Sequence, residues 1–448
     1  MDDTLNDVVV LTDAQSSEGS VPRTINHKPR SHVTFKGGQA RLAHRWFRLT
    51  PSFSPTLVRT VLEAHGGTDP RVYDPFSGRG TTPIECQLLG VPSIGVEINP
   101  ALYFAGVTSL AWDVDPASLR HALPNILELT KRLREDHKDR SLEDVANLLA
   151  FRVPSIHNVY RWWRPEVLRD LLLLRYAIHS ERLDHRERDL LLLGLMNILL
   201  DAANITLGRL QLHFVDRAEE VIDALSLFAR SIEVMIEDLG ELSTLPPINR
   251  SKIYLGDNRT PPPEVGRFRP NIVITSPPYP NRYSYVWNTR PHLYFMDWFT
   301  QPSEAAALDS ATVGGTWGIA TSRHQKGQYR YSRSCVEEIA TPVVEVIRRS
   351  DNLMANYVAM YLDDLHKGLV ANAAVLDQGA LCAYVVGNSR MKGTIVETDV
   401  LLAQLFESAG YEALGNEEVR RRNSGKELHE TIVYAKFRGQ PVTRDRTA

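Results

Sequence analysis

Apolar residues along this chain follow two rhythms. Short unbroken runs closed by turn residues read as buried strands at 71–73, 92–96, 252–255, 271–275, 381–386 and 431–437. Elsewhere apolar positions recur at helical spacing. Leu57, Val58, Val61 and Leu62 share one face of a helix over 56–64 that Gly66-Gly67 ends. Further helices are expected over 83–89, 343–347, 353–369 and 400–409. From Asp115 to about Leu242 only the helical rhythm is present. Val167, Leu168, Leu171, Leu172 and Ile178 fall on one face, 190–200 is nearly all apolar, and Val221, Ile222, Leu225 and Phe228 continue the spacing. The pattern predicts an α/β fold, a Rossmann-like sheet with helices on both faces, plus an all-helical insertion. The expected boundaries are a flexible tail over 1–30, one half of the sheet domain over 31–114, the insertion over 115–245, and the other half over 246–440. Residues 281–336 read as loops.

Composition narrows this little. Over 448 residues, 43% are hydrophobic and 23% charged, as in ordinary globular proteins. The net charge of −3 excludes a polycation, so any nucleic-acid contact must use a local basic surface. The three cysteines, Cys86, Cys335 and Cys382, are too scattered for a zinc site or a disulfide framework, so no metal is expected and a cytoplasmic location is. The start of the chain does not read as a signal peptide, and the longest apolar run is short of the ~20 residues a membrane span needs.

Two stretches carry chemistry. Asp74-Pro75-Phe76-Ser77-Gly78-Arg79-Gly80-Thr81-Thr82 follows the first strand. Its glycines let the backbone turn tightly beside a ligand, and the helix start at Thr81-Thr82 favours an anionic group. The Gly-Lys-Ser/Thr ending of a phosphate loop is absent. Glu97 closes the second strand, where an acid commonly binds ribose hydroxyls; a solvated strand-end acid is the lesser alternative. The second stretch is Ser276-Pro277-Pro278-Tyr279, after the strand at 271–275. Two prolines hold the backbone extended at a strand's carboxyl end, where open α/β sheets place ligands. A hydroxyl and carbonyls there suit an amino group, and the tyrosine ring suits a flat substrate. A proline-rich turn after a core strand would read the same way.

Together these stretches resemble the S-adenosylmethionine-dependent DNA methyltransferases that modify exocyclic amino groups. That family carries a Phe-x-Gly-x-Gly loop and a Ser/Asp/Asn-Pro-Pro-aromatic tetrapeptide. The likeness extends to Gly95 through Pro100, to Gly256-Asp257 and to Phe53-Ser54-Pro55, and covers roughly 40–110 and 250–437. It implies S-adenosyl-L-methionine as cofactor and double-stranded DNA as partner. Asp74, Phe76, Gly78 and Gly80 would hold the methionine part, with Phe53 lining its pocket and Ser77, Thr81 and Thr82 as further cofactor-binding residues. Glu97 would serve the ribose and Asp257 the adenine, Asn99 would also bind the cofactor, and Ser276, Pro277 and Tyr279, in one catalytic set with Pro278, would hold the target base. Serine in the tetrapeptide resembles the cytosine-N4 subgroup, whereas aspartate or asparagine is commoner in adenine-N6 enzymes. Such enzymes belong to restriction-modification or related defence systems; a separate cognate endonuclease would be the partner, and no second catalytic motif stands in this chain. In many relatives the tetrapeptide precedes the glycine loop; here it follows.

No cysteine follows a proline, which argues against C5-cytosine chemistry. Candidate DNA contacts are Arg282 and Tyr283, just after the tetrapeptide, and Arg323, Lys326, Arg330 and Arg333 in an acid-free stretch, with 420–422 a further basic run. Tyr160-Arg161-Trp162-Trp163-Arg164 reads as an interdomain seam or a nucleic-acid surface. His44, His213 and His292 read as packing residues. Competing readings are an RNA or protein amide methyltransferase and a non-catalytic DNA-binding relative. Oligomeric state and recognition sequence stay open.

Overall fold

The computed structural model describes residues 41–48, 52–207, 211–245, 250–315, 327–421 and 428–439. The expected tail at 1–30, together with Arg323 and Lys326, lies outside them.

Eleven strands are present among the described residues. They are β1 (Val72–Asp74), β2 (Ser93–Glu97), β3 (Ile205–Leu207), β4 (Leu212–Phe214), β5 (Ser251–Leu255), β6 (Ile272–Thr275), β7 (Leu381–Gly387), β8 (Ser389–Met391), β9 (Thr394–Val396), β10 (Tyr411–Arg421) and β11 (His429–Phe437). Seven form one sheet in the order β10-β11-β7-β6-β1-β2-β5. Pairing is parallel from β5 through β7 and antiparallel at β7–β11 and β11–β10. The fold is α/β, a Rossmann-like sheet with helices on both faces, and it places β1 and β6 side by side. The chain order of the strands reverses direction at β1 and β6, the kind of point where open α/β sheets bind ligands.

Alternation across the strands separates two cores. Tyr73, Val273, Cys382 and Tyr384 face one side, where Val358 and Leu362 from the helix Asn352–Ala373 and Ala340 and Val344 from the helix Ser334–Arg348 cover them. Val72, Ile272, Ile274, Ala383 and Val385 face the other, against Leu57, Val58 and Val61 of α1 (Pro55–His65). The helix Ser54 caps begins at Pro55, with the Ser54 hydroxyl accepting from Thr56 N at 3.3 Å.

Between β2 and β5 the chain forms α3 (Pro100–Thr108) and then the helices Pro116–Asp136, Pro165–Ser180, His185–Ile198 and Ala224–Leu242, with shorter ones between. Leu190 to Leu193 are buried, behind a capping box at Asp184 and Glu187. Two expectations fail here. The segment is not purely helical, because β3 and β4 pair as a two-stranded ribbon. Val221 is 97% exposed and lies before the helix that begins at Ala224, so its apparent place in the helical repeat was accidental. Trp162 and Trp163 form a seam: Trp162 meets Phe214 at 4.8 Å and Trp287 at 6.0 Å, and Trp163 meets Phe295 at 6.0 Å.

The loop reading of 281–336 also fails in part. The chain there forms the helices Tyr285–Phe295 and Pro302–Ala311. Pro291 within the first helix and its mixture of rings and polar residues hide the period, yet Ser284 caps it by accepting from Trp287 N at 3.0 Å. No helix among the described residues is long and apolar enough to cross a membrane.

Candidate active site

The glycine loop is a tethered turn between β1 and α2 (Thr81–Leu88). Ser77 N donates to Val96 O at 2.9 Å, and Gly80 N donates back to Ser77 O at 2.8 Å. Gly78 and Gly80 take φ of +54° and +90°, the left-handed region. A β-carbon at Gly80 would also stand 3.2 Å from the Gly106 Cα, which explains glycine there; over Gly78 there is open space. Thr82 donates to the Ile274 carbonyl at 3.1 Å, which locks the start of α2 to the tetrapeptide's strand.

Asp74 is buried at the end of β1. It accepts from Phe76 N at 3.1 Å and from the Thr275 hydroxyl at 2.5 Å, so one carboxylate ties the loop to β6. Burial pushes it up to about 6, against the pull of those hydrogen bonds. Glu97 accepts from Gly78 N at 2.7 Å and from Asn99 N at 2.8 Å. Burial raises it to about 7. Two amides leave a carboxylate with lone pairs to spare. Asn99 is committed to structure: it caps α3 through Ala101 N and donates to the Thr289 hydroxyl at 2.8 Å. Asp257 is ion-paired to Arg259 at 2.6 Å, and Arg259 also reaches Asp364 at 3.1 Å.

After β6, the helix Asn352–Ala373 supports the tetrapeptide from below. Tyr361 donates to the Pro278 carbonyl at 2.8 Å, and Arg282 N donates to the Tyr357 hydroxyl at 3.4 Å. The Ser276 and Tyr279 hydroxyls stand 3.5 Å apart. Arg282 has a φ of +59°, unusual for a bulky residue, just past the tetrapeptide.

These pieces meet in one cavity of about 260 Å³. Phe53, Phe76, Ser77, Gly78, Thr81, Glu97, Asn99 and Asp257 line it from one group of loops; Ser276, Pro278, Tyr279 and Tyr283 line it from the other. Asp74, Gly80, Thr82 and Pro277 are buried and directly adjoin lining residues in the chain. Arg282 and Arg330 are exposed outside it, Arg333 is half-buried, and Tyr283 is buried against Tyr285 at 4.8 Å between ring centres.

Sequence reasoning missed other lining residues. Arg420 and Glu430, on the paired strands β10 and β11, also face the cavity. The run 420–422 read as a basic patch, but Arg420 is held by Glu430 and Arg421 by Glu418, while residue 422 lies outside the described residues. Arg79 was passed over inside the glycine loop. Its buried guanidinium donates to the carbonyls of His44 and Phe47 at 2.5 and 2.8 Å and to the Ser52 hydroxyl at 3.1 Å. It thereby straps the segment before Phe53 onto the loop. Burial pulls it down to about 9. Among the described residues no cluster of three or more His, Cys, Asp or Glu is arranged to hold a metal ion.

A doubly wound sheet whose glycine loop and Ser-Pro-Pro-Tyr turn open onto one cavity defines a methyltransferase site, with S-adenosylmethionine as donor. The residues present suit that group: there is open space over Gly78, and two acids able to accept from hydroxyl and amino groups, Glu97 and Asp257, line the cavity. No protein-family model matches the chain. It is a homologue of Type II methyltransferases. It is 21% identical to M.BsoBI of Geobacillus stearothermophilus, over 89% of this chain and 85% of that one, and 21% identical to M.MvaI of Kocuria varians, over 86% of each. A shorter match to M.MjaII of Methanocaldococcus jannaschii reaches 33% identity over 19% of this chain and 16% of that one. Among solved structures, an rRNA methyltransferase of Streptomyces viridochromogenes aligns with 90% of this chain and 96% of its own at 12% identity, with a TM-score of 0.29.

Proposed function

We propose that this chain is a site-specific DNA methyltransferase that methylates the exocyclic N4 of cytosine, as the modification enzyme of a restriction-modification or related defence system. The observation that carries this reading is the shared cavity: Gly78 and Ser276 line one space, so donor and acceptor can be in contact.

Bound S-adenosylmethionine supplies a methyl group on a positively charged sulfur, ready for in-line displacement. The protein's part is positioning and electrostatics. The amino nitrogen of cytosine is a poor nucleophile because its lone pair is delocalised into the ring. Hydrogen bonds from that amino group to the Ser276 hydroxyl and the Pro277 carbonyl draw the nitrogen towards tetrahedral geometry. The lone pair then points at the methyl carbon. Tyr279 stacks on the base, which must leave the duplex to arrive, at a cost of a few kcal/mol. Stacking returns about 1–3 kcal/mol of that. Arg282, Arg330 and Arg333, exposed or half-buried, and Tyr283 in the cavity wall supply DNA contacts.

Glu97 gives this reading a pH signature. Ribose hydroxyls donate best to a carboxylate, so cofactor affinity is expected to rise several-fold from about pH 6 to about pH 8 as Glu97 ionises. The apo protein's stability runs the opposite way. A folded-state value raised to about 7 adds stability below the ordinary carboxylate range, and that stability is lost as pH rises towards 7. Calorimetric titration of wild type and Glu97→Gln checks this. A slope that survives in the variant would remove Glu97 from the ribose site.

The function itself is tested by modification-sensitive sequencing of DNA from cells expressing the full chain. The expected product is N4-methylcytosine within a fixed motif. N6-methyladenine would correct the base; unmodified DNA with methylated RNA or protein would overturn the substrate.

A further inference from the structure

The antiparallel strands β10 and β11 bring one charged pair to the tetrapeptide's end of the sheet. Arg420 and Glu430 are register partners, and Glu430 lies opposite Gly387 at the carboxyl end of β7, one strand over from Ser276. Both line the cavity with Ser276 and Tyr279. The contact is bidentate. Arg420 Nε donates to one Glu430 oxygen at 2.6 Å and Nη2 to the other at 2.8 Å. Glu430 is 13% exposed and Arg420 35%, so the pair stands in the cavity wall rather than in bulk water.

That contact uses one edge of the guanidinium. An arginine carries five N–H donors in a planar fork, and binding a carboxylate through Nε and Nη2 leaves the Nη1–Nη2 edge with two parallel donors. A cytosine whose amino group is held at Ser276 still presents two adjacent acceptors on the same edge of its ring, N3 and O2. Adenine held by its amino group presents one acceptor, N1, followed by a C–H. A two-donor fork therefore matches cytosine and meets adenine with one donor unsatisfied, and an unpaired group in a closed site is costly.

We propose that Arg420, oriented by Glu430, reads N3 and O2 of the extruded cytosine and so sets the choice of cytosine over adenine. This rests on the cytosine-N4 reading above. Arg420 is the specificity residue and Glu430 its positioning residue. The carboxylate fixes the plane of the fork before the base arrives, which lowers the entropy lost on binding.

The test uses the full chain and duplexes carrying the motif found by sequencing, with either cytosine or adenine at the target position. The quantity read is the ratio of kcat/KM for the two bases, because damage to folding lowers both rates and leaves their ratio unchanged. In R420M the ratio of cytosine to adenine is expected to fall about 10- to 100-fold, the worth of one bidentate contact to a base. R420K keeps the charge without the fork and should fall nearly as far. Because R420M leaves Glu430 without its partner, R420M/E430L removes both charges and should show the same loss with stability restored. S-adenosylmethionine affinity should stay within about twofold throughout, since only the base side is altered. A ratio preserved in R420M and in R420M/E430L, with N4-methylcytosine still the product, overturns this inference alone. N6-methyladenine as the wild-type product overturns the cytosine reading and this inference with it.

Discussion

Replacing Ser276 with alanine is expected to lower methyl transfer about 100- to 1000-fold, the usual loss when one preorganised polar group at a reacting centre is removed. The cost should fall on the chemical step. Ser276 lies at the end of β6, is not among the groups that tie the glycine loop to the sheet, and its hydroxyl stands 3.5 Å from that of Tyr279. Thr82 and Asp74 make those ties instead, through Ile274 and Thr275. S-adenosylmethionine binding should therefore survive within about twofold while kcat collapses. Single-turnover assays with labelled cofactor separate the two quantities. A variant that binds cofactor poorly but transfers at the normal rate would place Ser276 on the donor side and break the assigned division of the cavity.

Glu85→Ala should be the most damaging change away from the cavity, lowering folding stability by about 2–4 kcal/mol. Glu85 is wholly buried in α2. It accepts from His44 Nε2 at 2.9 Å and from Arg41 at 3.0 Å, and it pairs with Arg59. Burial alone would raise this carboxyl; the His44 hydrogen bond and the two arginine charges hold it below the ordinary range. His44, wholly buried, is pushed down by that burial and serves as a neutral donor. Removing the carboxylate leaves His44 without its acceptor. The two arginines, each about a third exposed, can turn to water, so the loss falls below that of a fully buried network. Urea unfolding with and without S-adenosylmethionine measures it. A change under about 1 kcal/mol would mean that neighbouring groups or water replace the carboxylate.

The parts of this molecule that were legible in its sequence are those where local chemistry has one solution. Strands β1, β2, β5, β6, β7 and β11 are short apolar runs between turn residues, and each stands within about two residues of its expected place. Strand β10 was not legible. It is an edge strand carrying Glu412, Glu417, Glu418, Arg420 and Arg421, so its composition resembles a solvated loop, and only pairing with β11 makes it a strand. Consequently Arg420 read as part of a free basic patch rather than as a wall of the cavity. The glycine loop and tetrapeptide stood out because positive φ and paired prolines restrict residue choice. Arg79 did not, since an arginine between two glycines gives no sign that it is buried under carbonyls contributed from residues 44 and 47. The helix Tyr285–Phe295 was hidden by an internal proline tolerated because packing against the Trp162–Trp163 region holds it.

Adjacent strands in a sheet lie about 4.8 Å apart. The loop proposed for the donor leaves β1 and the turn proposed for the acceptor leaves β6, its hydrogen-bonded neighbour. The spacing of the two loops is thus a property of one rung of backbone. Side chains on either loop can therefore change without altering the separation of the two backbones, because the strand pairing carries it.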